Sequence, residues 1–561
     1  MTELYSKMTG LWQKMEWYTG MPNTNARGHF SSNLQKNLRI TYSPISDNLI
    51  QYSKGGFTAM TKNTKHRWRP ALLIFLLCSC LCIGFYFTQF YPGTKKEPET
   101  IYILLQRNAE NCQDFNLVEQ ELNQYLAKAE DYQVQFRVQS YSALYNDFMQ
   151  NLKSAEPIDI LFGTAKSMKE AVAQNLLEPL DSLLQEQGDG ICEVLNKDYL
   201  DTGYIDGTRY GLPSVRDYAS SSCFEYDVQL ARQYDLQMDS VKTMDDLEKQ
   251  LLKLKESAPS IIPVGINLYV GIDSLLKMDF LGDNFMAPLA VLRNYGQTSQ
   301  IVNFYETQEF TSFANKMYAW RKEGLLMDDT GASISAINYL KTHKVFGCFS
   351  HYHPGFDVEE TRGSGTEIAC VVLSNHYISS FNADNLFWEI PAKSQHKEAA
   401  MRFLRRMYTD ENVIRILTYG KEGVHYEYKD PEHKTIGYPE GINVDNSRYS
   451  QFLGWMYGNE MLMPVWEGLP EDLWQQITDY NDTSIRSIAI GFSFDETPVA
   501  NEFLRCTAVA RQYYSGLTTG QLNPAKYLPI LRQELSAAGI GTVISEKQRQ
   551  LNEYLKGEDN S

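Results

Sequence analysis

The sequence has little of what usually carries catalysis. It contains no G-x-S-x-G elbow, no H-E-x-x-H pair and no P-loop, so the spacings that build a serine hydrolase, a zinc peptidase or a nucleotide hydrolase are missing. Cysteine is sparse outside one short stretch: of nine, Cys78, Cys80 and Cys82 lie together, while Cys112, Cys192, Cys223, Cys348, Cys370 and Cys506 are scattered. Six dispersed thiols make neither a zinc cluster nor the dense disulfide framework of a small secreted domain, so buried free thiols are expected. No internal repeat is visible. Positive charge is also short, with 52 Lys and Arg against 69 Asp and Glu and a net charge of −17.

The charge deficit is uneven. Residues 1–59 carry +3 and residues 60–70 carry +4, which leaves −24 on residues 71–561. So acidic a surface repels phosphate backbones and anionic lipid, and no nucleic-acid partner is expected. Long apolar runs are absent but for one, residues 71–91 (ALLIFLLCSCLCIGFYFTQFY), which is uncharged over 21 residues. That length just crosses a hydrocarbon core of roughly 30 Å. Lys62, Lys65, Arg67 and Arg69 precede it, so the positive-inside rule keeps the residues before 70 cytoplasmic and sends the bulk of the chain out.

Met60 opens a charged segment followed by an apolar one, the pattern of an export signal. Lys54-Gly55-Gly56 can be encoded by a purine run of the ribosome-binding kind, which makes Met60 the expected start. Residues 1–59 then either lie upstream of translation or form a disordered leader, and residues 60–96 are signal or anchor plus linker. Leu77-Cys78-Ser79-Cys80 resembles a lipobox with Cys80 lipidated, whereas the apolar continuation to Tyr91 fits a retained spanning helix with its cysteines as small apolar residues. Both readings tether the domain to the outer face of the cell membrane.

With 43% apolar and 12% aromatic residues, the remainder can bury more than one core. Residues 100–105 (TIYILL), 133–141 and 158–162 read as strands, and helical patterns cover 115–128 and the stretch before 152. This alternation predicts a parallel α/β sheet with ligands beyond its strand ends, at the loops 106–114 and 163–167. Further helices are expected at 244–257 and 310–323. From residue 397 onward the chain reads as mostly helical, ending in an amphipathic stretch, 524–555, broken at Gly539-Ile540-Gly541.

Several segments in sequence order then resemble one family. They are DGTRYGLP (206–213) with DVQLARQYDL (227–236), KVFGCFSHYHPG (344–355) and FWEIPAKSQHKEAAMRFLRRMYTDENV (387–413). They are similar to the family 1 extracellular solute-binding proteins of ABC importers. LTYGKEGVHYEY (417–428), YPEGI, GWMYGNE, WEG and GFSFDETPVANE (491–502) resemble the C-terminal domain of uncharacterised function found in the large lipoprotein-type branch of Gram-positive bacteria.

The resemblance implies a two-lobed, periplasmic-binding-protein-like α/β fold of type II with a helix-rich C-terminal region. Lobe 1 takes residues 97–212 plus about 373–415, lobe 2 takes 213–372, and a helical domain, 416–561, packs on both. It implies a monomer without cofactor or metal that captures a sugar or oligosaccharide by lobe closure and passes it to ABC permease subunits.

A sugar asks for planar hydrogen-bonding groups and aromatic plates. Candidates are Asn108 and Glu110 after the first strand, Arg216, Asp217 and Tyr218 after the first crossing, Ser350, His351 and Tyr352 at a strand end, and Trp388 on the return strand. Each has a plainer reading: a solvated loop for the first two, a surface pair for Arg216 and Asp217, a core ring for Trp388. His351 and His353 lack the further ligands of a zinc site. Trp455, Tyr457 and Trp466 read as core packing. Two rival functions stay open: a secreted carbohydrate-active enzyme using paired carboxylates, and a binding domain serving a sensor or adhesin.

Overall fold

The computed structural model describes residues 98–561 except 108–111, 142, 196–198, 200–201, 266–271, 284–286, 329–339, 384–385, 431–434, 451–452 and 559–561. The apolar run 71–91 with Cys80, and the candidates Asn108 and Glu110, lie outside the described residues. Among the described residues no helix is long and apolar enough to cross a membrane.

The TIYILL pattern sits in β1 (Glu99–Arg107), whose apolar continuity is explained by its central place. It pairs in parallel with β2 (Tyr132–Ser140), Ile103 opposite Phe136, and bridges in parallel to Ile160 at the entry of β3 (Leu161–Thr164). The helix α1 (Phe115–Leu126) between β1 and β2 buries Phe115, Val118, Leu122 and Leu126, one stripe at helical spacing. The far edge of this first sheet comes from distant sequence. β3 pairs antiparallel with the return strand Leu386–Glu389, which in turn pairs with Leu212–Pro213.

Thr164 ends β3 and caps the helix α2 (Ala165–Ala173) through a reciprocal box. Its hydroxyl accepts from the Ser167 amide at 3.1 Å while the Ser167 hydroxyl accepts from the Thr164 amide at 2.8 Å.

A second sheet is built on Ser221–Asp227, flanked antiparallel by Val345–Tyr352 and Ile368–Val372, with Ile262–Gly265 parallel at the other side of Val345–Tyr352. Helices Met244–Ser257, capped by Thr243, and Gln308–Lys322 accompany it. The chain passes between the sheets at 214–220 and again from 373. These passages hydrogen-bond to each other, Ser220 and Tyr377 exchanging both backbone bonds at 3.1 and 3.0 Å.

The C-terminal region keeps two small apolar clusters of its own, Tyr426 with Ile436 and Trp466, and Val465 with Leu473 and Ile477. Its larger part is divided: Val413, Leu417, Tyr449, Met456 and Met463 join the apolar core of the first sheet, whereas buried residues from Ala489 to Leu551 join that of the second. A third passage therefore runs between them, touching the second where Ile485–Arg486 pairs with Tyr377–Ile378.

The region after 397 is helix-rich, as the sequence reading expects, with one largely non-helical stretch in its middle. Helices Lys397–Thr409 and Glu411–Tyr419 are followed by loops and a small sheet of Glu427–Asp430, Thr435–Gly437 and Val465–Trp466. Gly420, Gly423, Pro439, Gly441, Gly458, Pro464 and Gly468 punctuate this stretch, and such residues break helical runs. Helix resumes at Leu473–Asp482 and at Ala500–Thr518 (α3), Pro524–Ala538 and Ile540–Glu558, with Gly539 in the left-handed conformation (φ 101°) between the last two.

Candidate ligand-binding site

Between the two sheets lies a cavity of about 230 Å³ lined by Phe162 and Leu386 from the first sheet, residues of the first passage, His351 and His353 from the second sheet, and Phe381 and Trp455.

The first passage supplies the polar groups and is held from three directions. Val215 donates to the Gly458 carbonyl at 2.6 Å and accepts from Glu460 at 3.0 Å. Asn481 Oδ1 accepts from the amides of Tyr218 and Ala219 at 3.0 and 2.9 Å, and its Nδ2 donates to the Arg216 carbonyl at 2.9 Å. Glu460 Oε1 accepts from the Asp217 amide at 2.8 Å. The backbone being fixed, Arg216 Nε donates to Asp217 Oδ1 at 3.0 Å and its guanidinium lies over the Trp455 ring, 4.6 Å from the centroid. This is a planar donor fork backed by an aromatic plate.

His351, on the strand Val345–Tyr352, and His353, just past its end, both line the cavity. His351 Nδ1 is buried without a hydrogen-bond partner among the described residues. Burial pushes its pKa below the ordinary value, the more distant Asp273 notwithstanding, so it is neutral at pH 7 and free to donate or accept. His353 Nε2 stands 3.7 Å from both Asp217 and Glu359. Burial opposes its charge, but those two carboxylates outweigh burial and raise its pKa. Glu460 is pushed up to about 8 by burial and by repulsion from Asp217, despite Arg216.

Of the sequence candidates, Arg216, Asp217, Tyr218 and His351 come together at this cavity. Tyr218 is almost wholly buried, stacked on Tyr199 with centroids 3.8 Å apart and donating to the Ser214 carbonyl, so it shapes the wall more than it offers a polar tip. Ser350 and Tyr352 alternate with His351 and lie on the opposite face of the strand, Tyr352 edge-on to Tyr480. Trp388 does not line the cavity: it is fully buried, packs against Phe162 and donates to the Met456 carbonyl at 2.6 Å.

Sequence reasoning missed Trp455, read as core, and Phe162, Leu386 and Phe381. Trp455 is only part-buried, whereas its neighbours Tyr457 and Trp466 are 1% and 5% exposed. No local pattern separates the three.

A cavity between two α/β sheets joined by repeated passages, with a few aimed polar groups and aromatic walls, defines a two-lobed solute-binding protein. Residues 114–337 match the model of the bacterial extracellular solute-binding protein family, and residues 488–556 match a domain of unknown function, DUF3502.

A carbohydrate ABC transporter substrate-binding protein of Streptococcus pneumoniae serotype 4 is 23% identical over 424 residues, 72% of this chain and 80% of that protein. The structure of an N-glycan transport solute-binding protein (NgtS) from Streptococcus pneumoniae is similar at a TM-score of 0.73 and 21% identity, covering 82% of this chain and 100% of that one. The same protein in complex with Man5GlcNAc gives 0.65 and 21%, covering 82% and 99%. The shared fold is the type II periplasmic-binding-protein-like one, with a helix-rich C-terminal region.

Proposed function

We propose that this chain is the extracytoplasmic substrate-binding component of an ABC importer and that it captures a neutral oligosaccharide without altering it. The observation that carries the reading is the cavity between the sheets, where the Arg216–Asp217 pair and the unpartnered His351 face one another beside the Trp455 and Phe381 rings. Planar donors and acceptors serve hydroxyls and rings serve C–H faces. A ligand touching both sheets binds the closed arrangement better than the open one, so capture and closure are a single equilibrium. Similarity to carbohydrate-binding importer components supports a sugar and permease partners.

The two sheets with their helices act as the lobes, 97–212 with about 373–415 and 213–372. The protein works as a monomer, held at the outer face of the membrane by Cys80 or by the apolar run 71–91. Asn108 and Glu110, next to the first strand's end, join the ligand's hydroxyls on closure.

Man1GlcNAc and Man5GlcNAc, bound by the similar protein, are the probes of choice. Calorimetric titration of residues 97–561 is expected to give micromolar or tighter binding, with the glycan recovered unchanged by mass spectrometry. Cleavage or modification of the bound glycan removes the transport-receptor reading.

A further inference from the structure

The inner cavity is small. Its 230 Å³ or so falls below the roughly 300–1,000 Å³ of ordinary small-molecule sites, which leaves room for little more than one sugar ring. A second cavity of about 840 Å³ meets it at Phe381, which lines both. One wall of this larger groove is α2 of the first sheet, through Lys166 and Lys169. The opposite wall is the DUF3502 region, through Phe494, Phe503, Thr507 and Arg511.

The lining has the character of an oligosaccharide groove. Phe494 and Phe503 both line it, tilted against each other with centroids 6.0 Å apart at 52°. Thr507 has a buried hydroxyl with no partner among the described residues, which is a cost unless a ligand satisfies it. Charges nearly cancel: Lys166, Lys169 and Arg511 face Glu170, Asp283, Asp495 and Glu496, and Asp283 is already neutralised by Lys547 at 2.6 Å. A balanced lining suits a hydroxyl-rich neutral chain better than a uronate or sulfated one. An ion pair between the walls, Lys166 to Glu496 at 3.3 Å, leaves both side chains largely in solvent (80% and 41%). Exposed pairs of that kind hold weakly and open easily.

We propose that the domain of unknown function is part of the binding site. Residues 492–511 form the wall that holds the outer residues of a neutral oligosaccharide whose end occupies the inner cavity. The domain thereby sets the length of ligand the protein prefers. This rests on the oligosaccharide reading above.

The test pairs a short and a long probe, Man1GlcNAc and Man5GlcNAc, with two variants of the outer wall. Thr507→Trp fills the groove and Phe503→Ala removes a plate. Each is expected to weaken Man5GlcNAc tenfold or more while changing Man1GlcNAc less than threefold, with an unchanged thermal transition. Equal weakening of both glycans, or unchanged affinity for both in both variants, overturns the proposal while leaving the oligosaccharide reading intact. Failure of either probe to bind the unaltered protein overturns that reading for this glycan class, and the proposal with it.

Discussion

Asn481 Nδ2 donates to the backbone carbonyl of Arg216 at 2.9 Å across 265 residues of sequence. The amide oxygen of the same side chain holds two backbone N–H groups of the passage that carries Arg216 and Asp217. One side chain of the third passage thus sets the geometry of the first.

Asn481→Ala removes all three bonds and leaves the buried amides of Tyr218 and Ala219 unsatisfied. Each such group costs about 1–3 kcal/mol, so denaturant unfolding is expected to show a loss of about 2–6 kcal/mol. Glycan affinity should fall with it, because the Arg216–Asp217 pair loses its fixed backbone. Unchanged affinity in a destabilised but folded variant sinks the positioning role.

Arg216→Ala takes away the planar donors and the partner of the Trp455 ring. A hydrogen bond involving a charged group contributes about 1.5–3 kcal/mol, so titration should show binding weakened ten- to a hundredfold. Arg216→Lys should recover little of it, since an ammonium cannot reproduce the fork.

Glu460 gives the fold a pH dependence with a defined sign. Its folded pKa, raised to about 8 by burial and by Asp217, lies above its unfolded value, so its contribution to stability is fully present below about 4.5 and is lost as pH rises towards 8. One proton held only by the folded state corresponds to a slope of about 1.4 kcal/mol per pH unit. His353, also raised, adds to the fall above about 6.5. Glu460→Gln keeps an oxygen for the Asp217 amide and should flatten the slope between pH 5.5 and 7.5 in denaturation curves; an identical slope refutes the assignment.

Lys547 and Asp283 form an ion pair at 2.6 Å with side chains 0% and 3% exposed, tying the last helix to the second sheet's unit. Removing one partner of a buried pair leaves the other charge uncompensated and costs about 3–5 kcal/mol. Lys547→Met should lower the thermal transition by several degrees, and the double change with Asp283→Leu should restore part of the loss.

Gly458 adopts φ 49° beside the Met407 carbonyl, where a Cβ would collide with that oxygen. Gly458→Ala is expected to loosen the bond from Val215 and to reduce both stability and affinity, read by melting and titration together.

The legible parts of this fold share one property: their signals are local. The apolar centre of β1, the Thr243 cap on Met244–Ser257 and the Gly539 stop each depend on residues a few positions apart. The candidates Arg216 and His351 were readable through motif order, since 206–213 and 344–355 resemble segments with known places in the family. Trp388 and Trp455 could not be told apart in that way. Both are aromatic residues amid apolar neighbours, and only the packing of Phe162 against the first and of Arg216 against the second decides which is core and which is wall.

Sequence by itself determined the α/β class, the acidic balance of residues 71–561 and the resemblance to the solute-binding family, because periodicity, charge balance and motif order are properties of the string. Tertiary structure decided what the string could not encode locally. It divided most of the C-terminal region between two cores, placed Asn481 against the cavity-lining passage and brought the DUF3502 region to the groove lined by α2. Those relationships join residues hundreds of positions apart, and their energies exist only once burial has brought the partners together.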